Sequence, residues 1–524
     1  MDRLPSELID AILQQCVYAG PKNAVLELRL VCRIFDRILK PFVCRTLELE
    51  FSRLSKTSRL PRPQTDALQT IGYHCKSLYI DLMVLRDDLE VDFLHTVFAR
   101  VPWMTDFCHT LQTSYCMNEL SFTELEYYRA VEDLLFNCRD VERLRLNLPF
   151  QLVGRHCNAA TIILANTFKA LATRPEEDSA EMKILVLENV TDIAICHLWM
   201  NPSDVMNIMV ALSVLEHLVI TLRRHETEPQ RVSMFGSCFW NLIEHASHLK
   251  SLCLVGMDHD DRPPRGLKQT RFWQMPLDEW RARSLPAPRV LQSNLTCLEL
   301  KRVEVSADVL LQAAEEFGPS LQELYLNEVY LKTEQVGTWN ADATKVLWIG
   351  LPNERPVEDC QWIATALRSA APNLRVCRAS FLAYDHYLND DVANNKPEFD
   401  LIDPCGLGRS VSQRFVEIVM GIRQPNTPSG DIERPRAIRV TDYDTNAYQT
   451  AVENTTSRWQ RSIDGVFTNC NPNTLDELHY IAETACKGMN EIHRRRNESS
   501  EGTSMANEYT DNLLSTPPSL DEAQ

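Results

Sequence analysis

The segment Leu215-Glu216-His217-Leu218-Val219-Ile220 carries most of the architectural information in this chain. Leu or Ile falls at the first, fourth and sixth positions, and the segment follows an amphipathic helical run over 204–212 and a short break. Side chains alternate across a strand, so Leu218 and Ile220 share one face while His217, Val219 and Thr221 share the other. The same order of helix, polar break and Leu-x-x-Leu-x-Leu strand recurs along the chain. It appears at Val141-Glu142-Arg143-Leu144-Arg145-Leu146 after 128–138, at Leu249-Lys250-Ser251-Leu252-Cys253-Leu254 after 239–246, and at Leu321-Gln322-Glu323-Leu324-Tyr325-Leu326 after 307–317. Looser copies are Cys75…Leu78…Ile80, Met182…Leu185…Leu187, Leu295…Leu298…Leu300 and Thr344…Leu347…Ile349, and a degraded last copy is Asn373-Leu374-Arg375-Val376 after 358–371. One such unit cannot bury its own apolar face, so neighbours must stack. The fold class predicted for 67–390 is α/β, an irregular solenoid with leucines pointing into a core that the helices cover. The alternative is an unrelated α/β domain in which the motif only marks buried strands.

In the solenoid reading the alternate strand positions line a concave surface, where stacked repeats usually bind. Those positions are Arg143, Arg145, Asn147, His217, Val219, Thr221, Cys297, Glu299, Lys301, Glu323, Tyr325, Asn327 and Trp348. Arg, Tyr and Trp anchor interfaces most often, which makes Arg143, Arg145, Glu323, Tyr325 and Trp348 the candidates for contact with a target protein.

The first 45 residues read differently. Pro5 suits the first position of a helix. Leu8, Ile9, Ile12, Leu13 and Cys16 then form one apolar stripe, and Gly20-Pro21 stops it. A second helical run, bent or not, spans about 24–40 and carries two stripes: Leu28, Val31, Cys32, Phe35 and Leu39, and Leu26, Leu30, Ile34 and Ile38. Arg29, Arg33, Asp36, Arg37 and Lys40 make the polar strip that remains. A helix apolar over most of its circumference must be buried on two sides, and so short a segment cannot cover both.

Leu4-Pro5-x-Glu7-Leu8, then Ile12-Leu13, then Leu28-Arg29-x-Val31-Cys32-Arg33-x-Phe35 resembles the F-box motif, with Phe35 where many F-boxes carry Trp. The resemblance covers about 40 residues. It implies a three-helix unit that docks on the Skp-type adaptor of a cullin–RING ubiquitin ligase. It implies also that Leu4, Pro5, Leu8, Ile9, Ile12, Leu28, Val31, Cys32 and Phe35 are divided between that interface and the unit's own core. The repeats resemble leucine-rich repeats, although successive motifs start at unequal steps (215, 249, 295, 321) and the Asn that often closes each turn is mostly absent. The whole is similar to divergent fungal-type F-box proteins. Such a protein is the substrate-recognition subunit of an SCF-type ligase and catalyses nothing itself; the alternative is a scaffold or sequestering protein that acts without ubiquitination.

The remainder sets limits. The expected organisation is F-box 1–45, linker 46–66, repeat domain 67–390, helical capping region 391–496 with helices near 411–422 and 475–492, and disordered acidic tail 497–524. The insertion at 256–290, with Phe272, Trp273 and Trp280, is read as a loop pinned to its own domain or as a partner-binding loop. A net charge of −18 over 524 residues opposes nucleic-acid binding driven by the whole-protein field. There is no run of about 18 apolar residues to span a membrane. Seventeen cysteines without a Cys-x-x-Cys spacing or a leader pattern read as reduced thiols of the cytoplasm or nucleus, without a structural metal. Dinucleotide, phosphate-loop, His-Glu-x-x-His and nucleophile-elbow motifs are missing, so no catalytic residue and no cofactor is expected.

Overall fold

The computed structural model describes residues 5–19, 22–52, 54, 68–149, 157–175, 179–223, 229–256, 294–301, 303–327, 329–332, 345–347, 360–380, 382–384, 411–421 and 472–500. The chain opens with three helices, α1 (Ser6–Ala19), α2 (Lys22–Arg29) and α3 (Arg33–Val43). The single second run expected from the pattern is therefore two helices, broken at 30–32.

The centre is a nine-stranded, all-parallel sheet in the order β1 (Thr46–Glu50), β2 (Ser77–Asp81), β3 (Arg143–Asn147), β4 (Ile184–Thr191), β5 (His217–Arg223), β6 (Ser251–Gly256), β7 (Cys297–Lys301), β9 (Glu323–Asn327) and β13 (Val376–Ser380). Strand order follows chain order without reversal. Crossovers of one hand then set their helices on the same face of the sheet, as a stack of α/β units requires. Leu78, Leu144, Leu185, Leu218, Leu252, Leu298 and Leu324 lie side by side in register and are buried in the core shared with the helices. Val186, Val219, Cys253 and Val255 form a separate cluster on the other face.

Two corrections to the sequence reading fall here. The stretch read as the start of a linker, 46–66, holds β1, which pairs with β2 from Thr46↔Ser77 to Glu50↔Asp81. Thr46-Leu47-Glu48-Leu49-Glu50 alternates as a half-covered strand should, and Leu47 and Leu49 pack on the core. The copy around Leu347 does not join the main sheet. There β11 (Lys345–Leu347) pairs with β12 (Cys360–Trp362) in a two-stranded sheet, and the degraded copy at Asn373 supplies β13 instead. A third sheet joins β8 (Glu304–Ser306), β10 (Tyr330–Lys332) and β14 (Ala383–Tyr384), each just after a main strand.

The residues leading into the strands stitch the units together. Each of the carbonyls of Arg45, Lys76, Glu142, Lys183, Glu216, Lys250, Thr296 and Gln322 accepts two successive N–H groups of the next unit, at 2.7–3.2 Å. From Lys76 to Lys250 that row alternates in sign, with Lys250 Nζ 2.9 Å from Glu216 Oε2. Exposed pairs of this kind contribute at most about 1 kcal/mol each, so their value is in register more than in stability. Further up the strands a buried polar chain crosses four units. Tyr79 donates to Asp81 (3.0 Å), Asn147 to Asp81 (3.1 Å) and Asn189 to Asn147 (2.6 Å), and Thr221 Oγ1 accepts the Asn189 N–H (2.7 Å). Asn189 sits at φ 59°, where β4 bulges between Leu187 and Val190, a conformation Asn tolerates better than most residues.

The covering helices are α6 (Glu124–Asn137), α7 (Asn158–Ala172), α8 (Asp192–Leu198), α9 (Pro202–Ser213), α10 (Pro229–His245), α11 (Ala307–Phe317) and α12 (Ile363–Ala370). A capping box of Thr123 and Glu126 starts α6, and Tyr127 and Thr167 share a buried 2.7 Å hydrogen bond between α6 and α7. Between β2 and α6 the chain inserts a hairpin, α4 (Asp88–Phe98) and α5 (Pro102–Ser114). Asp87 anchors it: Oδ1 caps α4 at Leu89 N (3.0 Å) and Oδ2 accepts from Asn158 N at the start of α7 (2.6 Å).

The two C-terminal helices among the described residues go to opposite ends. α13 (Val411–Val419) packs on β13 and α12, with Phe415, Val416 and Ile418 buried. α14 (Pro472–Ser500) returns to the N-terminal end, where Ile481 is buried among Phe98, Met104 and Phe107 of the α4–α5 hairpin. Gly488 permits this contact, since a Cβ there would stand 2.7 Å from Met104 Cε and from the Phe98 ring. The region read as one cap is thus two, and α14 runs to Ser500, inside the stretch read as a tail. The rest of that tail and the 256–290 insertion beyond Gly256 lie outside the described residues.

Candidate interaction surface

The three N-terminal helices close a small core of their own. Leu13 from α1, Val25 from α2, and Phe35, Leu39 and Val43 from α3 are buried together, with Ile9, Val17, Leu26, Leu28 and Ile38 partly buried against them. On α1 the inward residues Ile9, Leu13 and Val17 recur at i, i+4 and i+8. Leu8 and Ile12 form a second stripe about 100° away and stay open, at 51% and 47% exposure. Leu30 and Val31 occupy the break between α2 and α3, at 78% and 66%, and Ile34 on the first turn of α3 is at 48%. The unit's core is thus closed while five large aliphatics stay outside it.

This sorts the motif residues that the sequence left mixed. Pro5, Leu8, Ile12, Val31 and Cys32 are exposed, while Ile9 and Leu28 lean on the unit's core. Phe35, named with the adaptor-binding set, is buried in that core and so falls on the core side of the division. Leu4 lies outside the described residues. Leu30 and Ile34 join the surface although they are not motif positions, and their signal was the second apolar stripe of the run over 24–40. Arg29 pairs with Asp36 at 3.0 Å. Arg33 and Arg37 are exposed, so the apolar face has a basic border on an acidic protein.

The second candidate surface is the face of the sheet away from the helices. Register places Tyr79, Arg145, Val186, Val219, Cys253, Glu299, Tyr325 and Arg378 in one row, and Arg143, His217, Cys297 and Glu323 in the row beside it. The alternation read from sequence is therefore present, but its middle is not open: Val219, Thr221, Cys297, Glu299 and Lys301 are buried. Arg145 is committed internally. Its guanidinium makes two 2.8 Å bonds to the Glu188 carboxylate and lies 4.3 Å from the Tyr79 ring centroid. Burial pushes the Glu188 carboxyl up, and Arg145 opposes that shift. Tyr325 donates to Glu323 at 3.0 Å, and burial with the Glu323 charge raises its phenol. Burial lowers Arg143, whose neighbour Arg145 adds to the effect. Trp348 lies outside the described residues.

A polar concavity of about 260 Å³ opens at the strand entrances, lined by Asn294, Thr296, Ser320, Gln322, Asn373 and Arg375. Several of its side chains have structural partners already. Asn294 donates to Ser247 O, Ser320 to Leu295 O and Asn373 to Pro319 O, each at 2.8 Å, so it is a seam between units. Among the described residues no group of three or more His, Cys, Asp or Glu is placed to hold a metal, and no helix is long and apolar enough to cross a membrane.

The fold and these surfaces define a class, an α/β protein built by stacking strand–helix units onto a three-helix N-terminal module. Compared with known proteins, the chain matches no family model and no curated protein.

Proposed function

We propose that the chain is the substrate-recognition subunit of a cullin–RING ubiquitin ligase. The three-helix unit acts as an F-box that holds a Skp-type adaptor, and the stacked α/β domain holds a target protein. The observation that carries this reading is the set Leu8, Ile12, Leu30, Val31 and Ile34, left exposed on a module whose own core is complete. The F-box-like order of Leu4-Pro5-x-Glu7-Leu8 and Leu28-Arg29-x-Val31-Cys32-Arg33 gives that surface its partner. Covering the open half of five aliphatic side chains yields roughly 4–9 kcal/mol gross, of which association consumes several. Arg33 and Arg37 favour an acidic partner surface and make capture weaker in salt.

The work done is positioning. Holding a target near a ubiquitin-charged enzyme raises the effective concentration of its lysines without any bond chemistry by this chain. The test is Leu8→Asp with Ile12→Asp in the full chain. Co-purification of the adaptor is expected to fall at least about 100-fold while the thermal midpoint stays put, because both sites face outward. Undiminished capture of the adaptor would sink the reading.

A further inference from the structure

The helical side of the stack carries a groove that the N-terminal unit has no part in. It lies where α6 begins, between the turn 117–121 and α7, and encloses about 430 Å³. Met117, Leu125 and Tyr128 give it an apolar wall. Leu89, Leu120 and Leu125 are each more than half exposed around it. The turn is fastened in place. Asn118 Nδ2 donates to Asp88 Oδ1 at 2.9 Å and to Gln112 O at 3.1 Å, and its Oδ1 accepts the N–H groups of Leu120 and Ser121 at 2.9 and 3.1 Å. Opposite the turn, Glu124 accepts from Asn166 at 2.9 Å, which fixes the start of α6 on α7. The groove is therefore preformed, and an occupant entails little further ordering. Its volume is in the range of pockets that enclose a ligand or a large side chain.

Charge selects the occupant. Glu119 and Glu124 line the groove and are exposed. Lys169 is the one basic residue among those lining it, and its Nζ lies 4.4 Å from the Tyr128 ring centroid. Asp204 at the start of α9 brings a third carboxylate within electrostatic reach. Burial raises that carboxyl and the Glu124 charge adds to the rise, against a hydrogen bond with Asn201 and the charge of Lys169. An apolar pocket with more carboxylates than cations suits an apolar side chain flanked by Lys or Arg. The N-terminal face has the opposite border, Arg33 and Arg37. One partner surface does not suit both faces, so the two can be occupied at once by different partners.

We propose that this groove docks a basic, apolar-bearing segment of the target protein, with a large apolar side chain against Leu125 and Tyr128 and Lys or Arg beside Glu119 and Glu124. Calling that protein a target rests on the proposed function; the groove and its charge do not. The pocket supplies the specific contact, because the apolar anchor is the part that leaves water. The carboxylates set orientation and speed encounter, and their contribution weakens in salt.

The experiment titrates the full chain with three labelled peptides and reads fluorescence anisotropy: an amphipathic peptide of leucine and lysine, one of leucine and glutamate, and one of serine and lysine. The leucine–lysine peptide is expected to bind at least about 10-fold more tightly than either of the others. Leu125→Lys is expected to weaken it about 10-fold and Glu119→Lys about 3-fold. Glu483→Lys on α14 makes the same change of charge at an exposed site elsewhere, and is expected to alter it less than about 2-fold. Equal binding of the serine–lysine peptide would mean attraction by the net charge of −18 alone and overturns the proposal. So does an affinity that Leu125→Lys leaves unmoved. A second copy of this chain would join head to tail into open assemblies; a mass that grows with concentration, and stops growing in Leu125→Lys, gives the groove to that copy and overturns the proposal too. The three peptides on the unmodified protein give a reading that needs no variant to fold. Capture of the adaptor by Leu125→Lys is expected to be undiminished, so failure of the groove and failure of the N-terminal reading are told apart.

Discussion

Among the described residues, two small helical modules lie outside the main sheet, and they treat their apolar faces in opposite ways. The hairpin α4–α5 has an apolar face too large for two helices, with Phe98, Met104, Phe107 and Leu111 in it, and α14 comes back from the far end of the chain to cover that face with Ile481. The unit α1–α3 also has more apolar surface than it can fold inward, yet Leu8, Ile12, Leu30, Val31 and Ile34 remain open. Where the protein needs an apolar face hidden for its own stability, it supplies the cover from its own sequence. The face of α1–α3 has no such cover among the described residues, and this is the face to which the proposed function assigns a partner.

The largest effect expected on this contrast comes from Ile481→Asp. A charge placed at a fully buried site without a partner costs roughly 4 kcal/mol, which is enough to lift α14 off the hairpin. The freed face is then expected to add to the binding of a hydrophobic dye, while capture of the adaptor is unchanged. A variant with normal stability and no added dye binding would mean that α14 is not the cover.

Next comes Arg145→Met, which tests whether the inner face of the stack is held by its own ion pair or kept for a ligand. Removing Arg145 leaves the buried Glu188 carboxylate without its compensating cation, at a cost of about 3 kcal/mol. Burial already holds the Glu188 carboxyl above its unfolded value, and loss of Arg145 raises it further. The folded state then keeps a proton that the unfolded state releases, so stability falls as pH climbs through that interval and recovers as pH drops below it. Denaturant midpoints of the variant are expected to approach those of the unchanged protein as the pH is lowered from about 7 to about 5. A loss that is equal at both pH values would show that Glu188 is not the group left exposed to the change.

How far the sequence could be read follows from these same regions. Strands with strict Leu-x-Leu alternation, such as those holding Leu144 and Leu146 or Leu252 and Leu254, announce both their type and their buried face, because period two and apolar burial coincide. β1 escaped because its alternation of Leu47 and Leu49 sits among charges, and the break at 30–32 escaped because two apolar stripes run through it unaltered. The docking of α14 onto α4–α5 was not legible at all. Local periodicity shows that a helix has an apolar face but not which distant face it meets, and Ile481 lies far along the chain from Phe98. The N-terminal surface was legible as an excess of apolar residues. Which of them turn outward depends on packing angles that no spacing rule fixes, so the sequence alone does not separate Phe35 from Val31.

The smallest expected effect on stability is also the sharpest probe of that division, because it compares two residues of one helix. Leu39 is fully buried and Ile34 is half exposed on α3. Leu39→Ala removes core contacts and leaves a void, which lowers stability by about 3 kcal/mol. Ile34→Ala removes a side chain whose outer half meets water, and its effect on stability stays within about 0.5 kcal/mol. In the assay for adaptor capture the order is expected to reverse at temperatures where both variants are folded. Ile34→Ala loses affinity several-fold while Leu39→Ala retains it, since only Ile34 offers surface to a partner. If both variants lose stability equally, the open face is part of the unit's own packing, and the contrast between the two modules disappears with it.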